Sequence, residues 1–269
     1  MQPEKEGQRV TAVDFAAFVD DLATQSGTAI LPFFRTAIAA SDKSRGGAFD
    51  PVTEADRAGE TVMRQLIRRT FPSHGIIGEE YGNEREDAEF VWVLDPIDGT
   101  KAFISGLPLW GTLIGLTRNG EPCYGLMHQP FTRERFSGDG GMAHWKGPSG
   151  ERPLRTRRCN ALSEAILSTT TPAMFKDAQA EAYARVDGAA RLARYGYDCY
   201  AYCMVAAGHI DVVVETSLKP YDIVALVPII EGAGGVVTTW SGESPAKGGS
   251  IVASGDRRLH DEVLELLNR

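Results

Sequence analysis

The chain has 269 residues, with 28 Lys and Arg against 36 Asp and Glu and a formal net charge of -8. Hydrophobic residues make up 43% and charged residues 24%, ordinary values that exclude a disordered tail, a collagen-like chain and a small disulfide scaffold. The acidic balance excludes non-specific nucleic-acid binding, which needs a basic face, but admits a small anionic substrate wherever metal ions supply positive charge.

At roughly 150 residues per domain, the length allows one large domain or two intimate ones. Cys123, Cys159, Cys199 and Cys203 form no CxxC and no zinc-spaced cluster, so they read as reduced core thiols. The N-terminal MQPEKEGQRV has no apolar core, so no signal peptide is expected there. No apolar run approaches the roughly 18 residues of a membrane helix. A soluble cytoplasmic protein is expected, with no nucleic-acid or membrane partner.

From Asp14, a plausible N-cap, to about Ala40, apolar residues recur at helical spacing (Phe15, Phe18, Val19, Leu22, Ile30, Leu31, Phe34), with a break expected near Gly27 and Pro32. Ser41 to Asp50 is a polar, Gly-containing loop, a candidate to close over a metal site with Lys43 near it. Thr53 to Thr70 reads as a second helix, followed by strand-like runs at Gly75–Gly78 and Phe90–Leu94. Thr112–Leu116 and Cys123–His128 read as a hairpin turning at Arg118-Asn119-Gly120-Glu121. A Gly- and Pro-rich loop is expected over Ser137–Pro153, with sheet pieces continuing to about Thr171. Then come a helix at Ala178–Val186, a helix at Asp198–Gly208, a strand at Ile210–Glu215 and a helix at Tyr221–Ala233. Strands at Val236–Trp240 and Ile251–Ser254 precede a closing helix capped by Asp256. The mixture implies layered α and β architecture in two sub-domains, residues 1–160 and 161–269, with a seam between about Thr156 and Thr171. A seam of this kind often holds a small-molecule site.

The strongest local feature is Trp92-Val93-Leu94-Asp95-Pro96-Ile97-Asp98-Gly99-Thr100-Lys101. A hydrophobic strand runs into two acids, then into a glycine that lets the main chain turn and approach a ligand. Two acids beside an anion-cradling turn need a cation between them, and Mg²⁺ binds carboxylate and phosphate oxygens together. Helix capping explains Asp, Gly and Thr equally well at this point. Capping also explains Asp50 and Asp56 around Pro51–Ala55, and Asp222 in Lys219-Pro220-Tyr221-Asp222-Ile223. Gly78-Glu79-Glu80 alone reads equally as a solvated turn.

In combination these segments resemble the inositol monophosphatase superfamily, in order and spacing, over nearly the whole chain. The resemblance implies an α+β fold, a layered αβαβα sandwich of the sugar phosphatase type, usually as a homodimer. It implies that Glu79, Asp95 and the Ile97 carbonyl hold one Mg²⁺. Asp95, Asp98 and Asp222 hold a second, and Glu79 contributes to a weaker third, making two or three ions per site. Gly99 and Thr100 then face the phosphate with their N–H groups. Thr100 with Asp50 orients and deprotonates the attacking water, and Glu79 shares in catalysis. Asp98 and Asp222 also border the substrate.

Within the superfamily, Asp198-Cys199-Tyr200-Ala201-Tyr202, Lys219-Pro220-Tyr221-Asp222-Ile223 and Val227–Gly235 resemble the histidinol-phosphate phosphatase branch. That resemblance implies a small phosphorylated substrate whose alcohol carries an ammonium and an imidazole, in histidine biosynthesis. Asp198 and Glu215 are the acids that could pair with its cationic end. Tyr197 and Tyr200 could flank it, although packing of their own helix accounts for both. Inositol monophosphate and 3'-phosphoadenosine 5'-phosphate are alternative substrates, the latter because its phosphatases also carry Asp-Gly-Thr-Lys, as at Asp98–Lys101. A regulatory, RNA-associated role is the alternative of another class.

Overall fold

The structure is a computed structural model that describes residues 15–36, 41–42 and 51–269. Asp14, Lys43 and Asp50 lie outside these residues. The chain begins with α1 (Phe15–Ile30), a 3-10 turn at Leu31–Phe33, a two-strand pair β1 (Ser41–Asp42) and β2 (Pro51–Val52), and α2 (Glu54–Thr70). Next come β3 (Gly75–Gly78), β4 (Gly82–Glu84), β5 (Phe90–Asp98), the short helix α3 (Thr100–Ile104), β6 (Gly111–Arg118) and β7 (Glu121–Gln129). β8 (Glu134–Gly138), β9 (Ala143–Gly147) and β10 (Gly150–Pro153) extend the same sheet. The second half contains β11 (Ile166–Thr169), α4 (Ala178–Ala189), β12 (Leu192–Tyr195), α5 (Asp198–Ala206) and β13 (Val212–Leu218). It closes with α6 (Pro220–Ile223), α7 (Leu226–Gly232), β14 (Val236–Thr239), β15 (Gly249–Ser254) and α8 (Arg257–Leu267).

Among the described residues, strands from 75–153 form an eight-stranded sheet in the order β10-β9-β8-β7-β6-β5-β3-β4. Strands from 166–254 form a five-stranded sheet, β12-β11-β13-β15-β14. The helices and sheets stack as α, β, α, β, α. α1 and α2 cover one face of the first sheet, where Leu22, Met63 and Ile67 meet Trp92 and Leu116. Trp92 is fully buried and stacks with Phe15, while its Nε1 donates to His74 Nδ1 at 3.1 Å. Burial of a large apolar side chain contributes roughly 1.5–3 kcal/mol. α5 and α7 fill the space between the sheets, packing Cys199, Cys203, Ile229 and Ile230 against Leu113, Phe136 and Val213. α4 and α8 cover the outer face through Tyr183, Val186, Leu259 and Val263. The four thiols are free.

Three sequence expectations need correction. The first helix ends at Ile30 and does not run to Ala40; Pro32 sits in the 3-10 turn that follows. The Gly- and Pro-rich stretch at 137–153 is mostly sheet, not loop. β8 pairs with β9 and β9 with β10, with the glycines taken up in their turns and strand ends. The single helix expected at 221–233 is two, α6 and α7. Pro228 has no N–H for the Val224 carbonyl, so the helical ladder is interrupted there.

Candidate active site

Asp95 and Asp98 are an odd number of residues apart, so on a regular strand their side chains would point to opposite faces. Here Asp95 pairs with Leu113 and Asp98 with Gly111, so β5 carries one extra residue at a bulge. The bulge brings both acids to one side. Pro96, which has no amide to donate, sits in it without losing a ladder bond, and its carbonyl accepts from the buried Thr112 hydroxyl at 2.8 Å. Asp95 Oδ1 accepts from the Ile97 amide at 2.9 Å. Gly99 then turns with φ 86, and a β-carbon there would lie 3.0 Å from the Leu109 carbonyl oxygen and 3.2 Å from Asp198 Cβ. α3 follows at once, and its first amides have no acceptor within the helix. The Thr100 hydroxyl donates to the Ile97 carbonyl at 3.1 Å.

Asp222 arrives from the other half of the chain. Gly115, Gly125 and Gly138 lie side by side across β6, β7 and β8. The backbone of residues 224–229 rests on this row, so closely that a β-carbon on Gly125 would overlap the Ala225 carbonyl. The close approach seats α6 beside the end of β5. Asp222 Oδ2 accepts from the Lys219 amide at 2.6 Å, so this acid caps its helix and also faces the cluster. One ligand oxygen each of Asp95, Asp98 and Asp222 lies within 4.8 Å of the others. Asp98 Oδ2 further accepts from the Cys199 amide at 2.6 Å.

Burial drives the carboxyls of this cluster upward. Asp95 is raised well above the usual range by burial first, then by the charges of Glu79, Asp98 and Asp222. Asp98 is raised by burial and by Asp198 and Asp222. Asp222 is pushed up to about 7, by burial with Glu79 and Glu215 adding. Glu79 follows β3, its amide donating to the Leu94 carbonyl at 3.3 Å, which sets its carboxyl against Asp95. So many hard oxygen donors crowded together suit a divalent cation such as Mg²⁺, which replaces the repulsion with coordination.

A cavity of about 340 Å³ opens beside the cluster. Asp98, Gly99, Thr100, Asp198, Glu215 and Asp222 line it together, whereas Asp95 and Ile97 are buried. Among the described residues, the lining holds four acids, Asp98, Asp198, Glu215 and Asp222, against one cation, Lys101. Asp198 does not act as a side-chain cap. It has a left-handed backbone, φ 45, and its carboxyl is raised to about 6 by burial, against the opposing effects of Thr170 and Lys101. Glu215 is raised to about 7 by burial.

Tyr197 is not among the lining residues; its hydroxyl accepts from Arg194 Nε at 2.9 Å. Tyr200 donates to Glu134 Oε2 at 2.6 Å and packs against Phe136, also off the cavity. Tyr202 and Thr170 do line it, and the sequence reading missed both. For Tyr202 a signal existed. It stands four residues after Asp198, on the same helix face, whereas Tyr197 and Tyr200 do not. Thr170, just past β11, carries no such mark.

Comparison with known proteins places this geometry. The profile of the inositol monophosphatase family matches residues 11–269. A chloroplastic bifunctional phosphatase of Arabidopsis thaliana, IMPL2, is 43% identical, covering 94% of this chain and 75% of its own. A histidinol-phosphatase of Mycobacterium tuberculosis is 35% identical over 81% of this chain and 85% of its own. The solved structure of an inositol monophosphatase from Zymomonas mobilis superposes with a TM-score of 0.85 at 37% identity, covering 95% of this chain and 98% of that one. The chain belongs to the inositol monophosphatase family, a family of phosphatases whose layered fold it shares.

Proposed function

We propose that this protein is a Mg²⁺-dependent phosphomonoesterase that hydrolyses L-histidinol phosphate to L-histidinol and phosphate. The observation that carries the substrate is the pair Asp198 and Glu215 in the cavity wall beyond the Asp95–Asp98–Asp222 cluster. An alcohol bearing an ammonium and an imidazole meets carboxylates there, and charge-assisted hydrogen bonds of this kind are strong when desolvated. The mycobacterial histidinol-phosphatase supports the substrate by its name, and the Arabidopsis bifunctional phosphatase supports the phosphatase activity by its name.

Glu79, Asp95, Asp98, Asp222 and the Ile97 carbonyl would hold the metal. When bound it supplies positive charge for the phosphate and lowers the pKa of the attacking water. The chain's own residues do the positioning that phosphoryl transfer mainly requires. The amides of Gly99, just before α3, and of Thr100, its first residue, face the phosphate. The Thr100 hydroxyl spends its single proton on the Ile97 carbonyl, so toward the attacking water it acts as a hydrogen-bond acceptor. Asp198 and Glu215 receive the leaving alcohol.

A second reading, inositol phosphate as substrate, is favoured by the likeness to the Zymomonas structure. Phosphate release with Mg²⁺ from histidinol phosphate, inositol 1-phosphate and 3'-phosphoadenosine 5'-phosphate, each with an EDTA control, separates the readings. Histidinol phosphate is expected to be turned over with the highest kcat/KM. Asp198→Asn should lower that value by about 10-fold or more, and lower turnover of 4-nitrophenyl phosphate much less. Preference for another ester would discard the substrate and keep the metal site. No Mg²⁺-dependent release from any ester would leave the non-catalytic alternative.

A further inference from the structure

Glu215 is buried on β13 with both carboxylate oxygens engaged. Oε1 accepts from the Thr170 amide at 2.8 Å and from the Thr170 hydroxyl at 2.6 Å. Oε2 accepts from the Tyr202 hydroxyl at 2.9 Å. A buried carboxylate with three donors is held in one orientation. Asp198 stands differently. Its Oδ1 lies 3.5 Å from that same Thr170 hydroxyl, which has one proton to give. The distances assign the proton to Glu215, so Asp198 faces the cavity as an acceptor that this hydroxyl does not satisfy. Tyr202 and Asp198 sit one turn apart on α5, so a single helix presents both the clamp on Glu215 and the second acid.

We infer that Tyr202 is a positioning residue for the leaving-group end of the site: by holding Glu215 it keeps the Thr170 proton there and leaves Asp198 to accept from the N–H donors of the substrate's leaving group. The inference rests on the proposed reading of Asp198 and Glu215 as the leaving-group acids. Without the Tyr202 hydroxyl, Glu215 Oε2 loses its donor. A carboxylate so released shifts toward Asp198 or draws the substrate's donors to itself, and the division of labour between the two acids is lost.

Tyr202→Phe removes the hydroxyl and keeps the ring that packs between the sheets. Steady-state kinetics on the full chain with Mg²⁺, using histidinol phosphate and 4-nitrophenyl phosphate, test it. For histidinol phosphate, KM should rise about 10-fold with kcat changed less than about 3-fold, and the ratio of the two kcat/KM values should fall at least about 5-fold. Thr170→Ser, which retains both donors, should keep that ratio, and Thr170→Val should lose it. If Tyr202→Phe fails to fold, as judged by its melting transition, the Thr170 pair decides alone. Equal losses on both esters, or an unchanged ratio, would overturn the inference. If the wild type instead prefers inositol 1-phosphate, the substrate reading fails separately. The same ratio taken with the inositol ester then judges Tyr202: a fall supports its positioning role and no fall overturns it.

Discussion

Asp98 shows how much one side chain carries. It ends β5, takes the Cys199 amide from α5, and faces Asp95 and Asp222. Its charge is sustained only if a cation answers the neighbouring acids, since burial and like charges both favour the neutral form. Mg²⁺ is therefore expected to raise the melting temperature, with EDTA reversing the rise, because a ligand that binds only the folded state stabilises it. Asp98→Asn should abolish most of that Mg²⁺-dependent rise and lower phosphatase activity at least about 100-fold, while in EDTA the variant melts no lower than wild type. Differential scanning fluorimetry with and without Mg²⁺ checks this. A lower melting point in EDTA would show that Asp98 acts mainly through the Cys199 amide. At this scale Asp95, Asp98 and Asp222 were legible as acids at turns, but each also had a capping role open to it. Asp222 caps its helix and still faces the acidic cluster, because a capping carboxylate has a second oxygen to offer.

The elements were legible where hydrophobic periodicity was strong. α2 begins one residue after its Thr53 cap, and α8 begins at Arg257 after Asp256. They were illegible where glycine and proline read as loop but served a sheet, as in β8, β9 and β10. A buried histidine pins α8 to the second sheet: His260 Nδ1 meets Ser254 Oγ at 3.1 Å and Nε2 meets Thr238 Oγ1 at 2.9 Å. Burial, with Arg257 adding, lowers His260 from 6.5 to about 4. His128 on β7 is lowered to about 4 by burial and then by Arg135. Below pH 6.5 the unfolded chain takes up protons that these rings refuse when folded, so their contribution is full above that pH and is lost as the pH falls toward 4. At pH 5 each should cost about 2 kcal/mol relative to pH 7. Urea unfolding with Mg²⁺ present, at pH 7 and pH 5, should show the pH 7 to pH 5 loss shrinking by about 2 kcal/mol in His260→Gln. An unchanged difference between the two proteins would place the proton uptake elsewhere.

At the scale of the molecule, the site exists because two distant segments meet. Residues 79–101 supply one side and Asp222 the other, and the meeting depends on the glycine row under residues 224–229. Gly125→Ala should cost about 3 kcal/mol or more through overlap with the Ala225 carbonyl. It should also lower activity beyond the loss of folded protein, since Ala225 is three residues from Asp222. Denaturation together with kcat per folded molecule tests both parts, and a destabilised variant with full kcat would break the link between seat and ligand. By itself the sequence determined the layered mixture of α and β and the glycine turn before α3, because periodicity and turn chemistry are local properties; Asp95, Asp98 and Asp222 stood out only as acids at turns, and it was their combination along the chain, by resemblance, that grouped them. Only the tertiary structure decided that a bulge turns Asp95 and Asp98 to one side, that Tyr202 rather than Tyr197 lines the cavity, and that Thr170 joins Glu215. Those outcomes depend on strand register and on which backbones can approach one another, and neither is carried by any short stretch of chain.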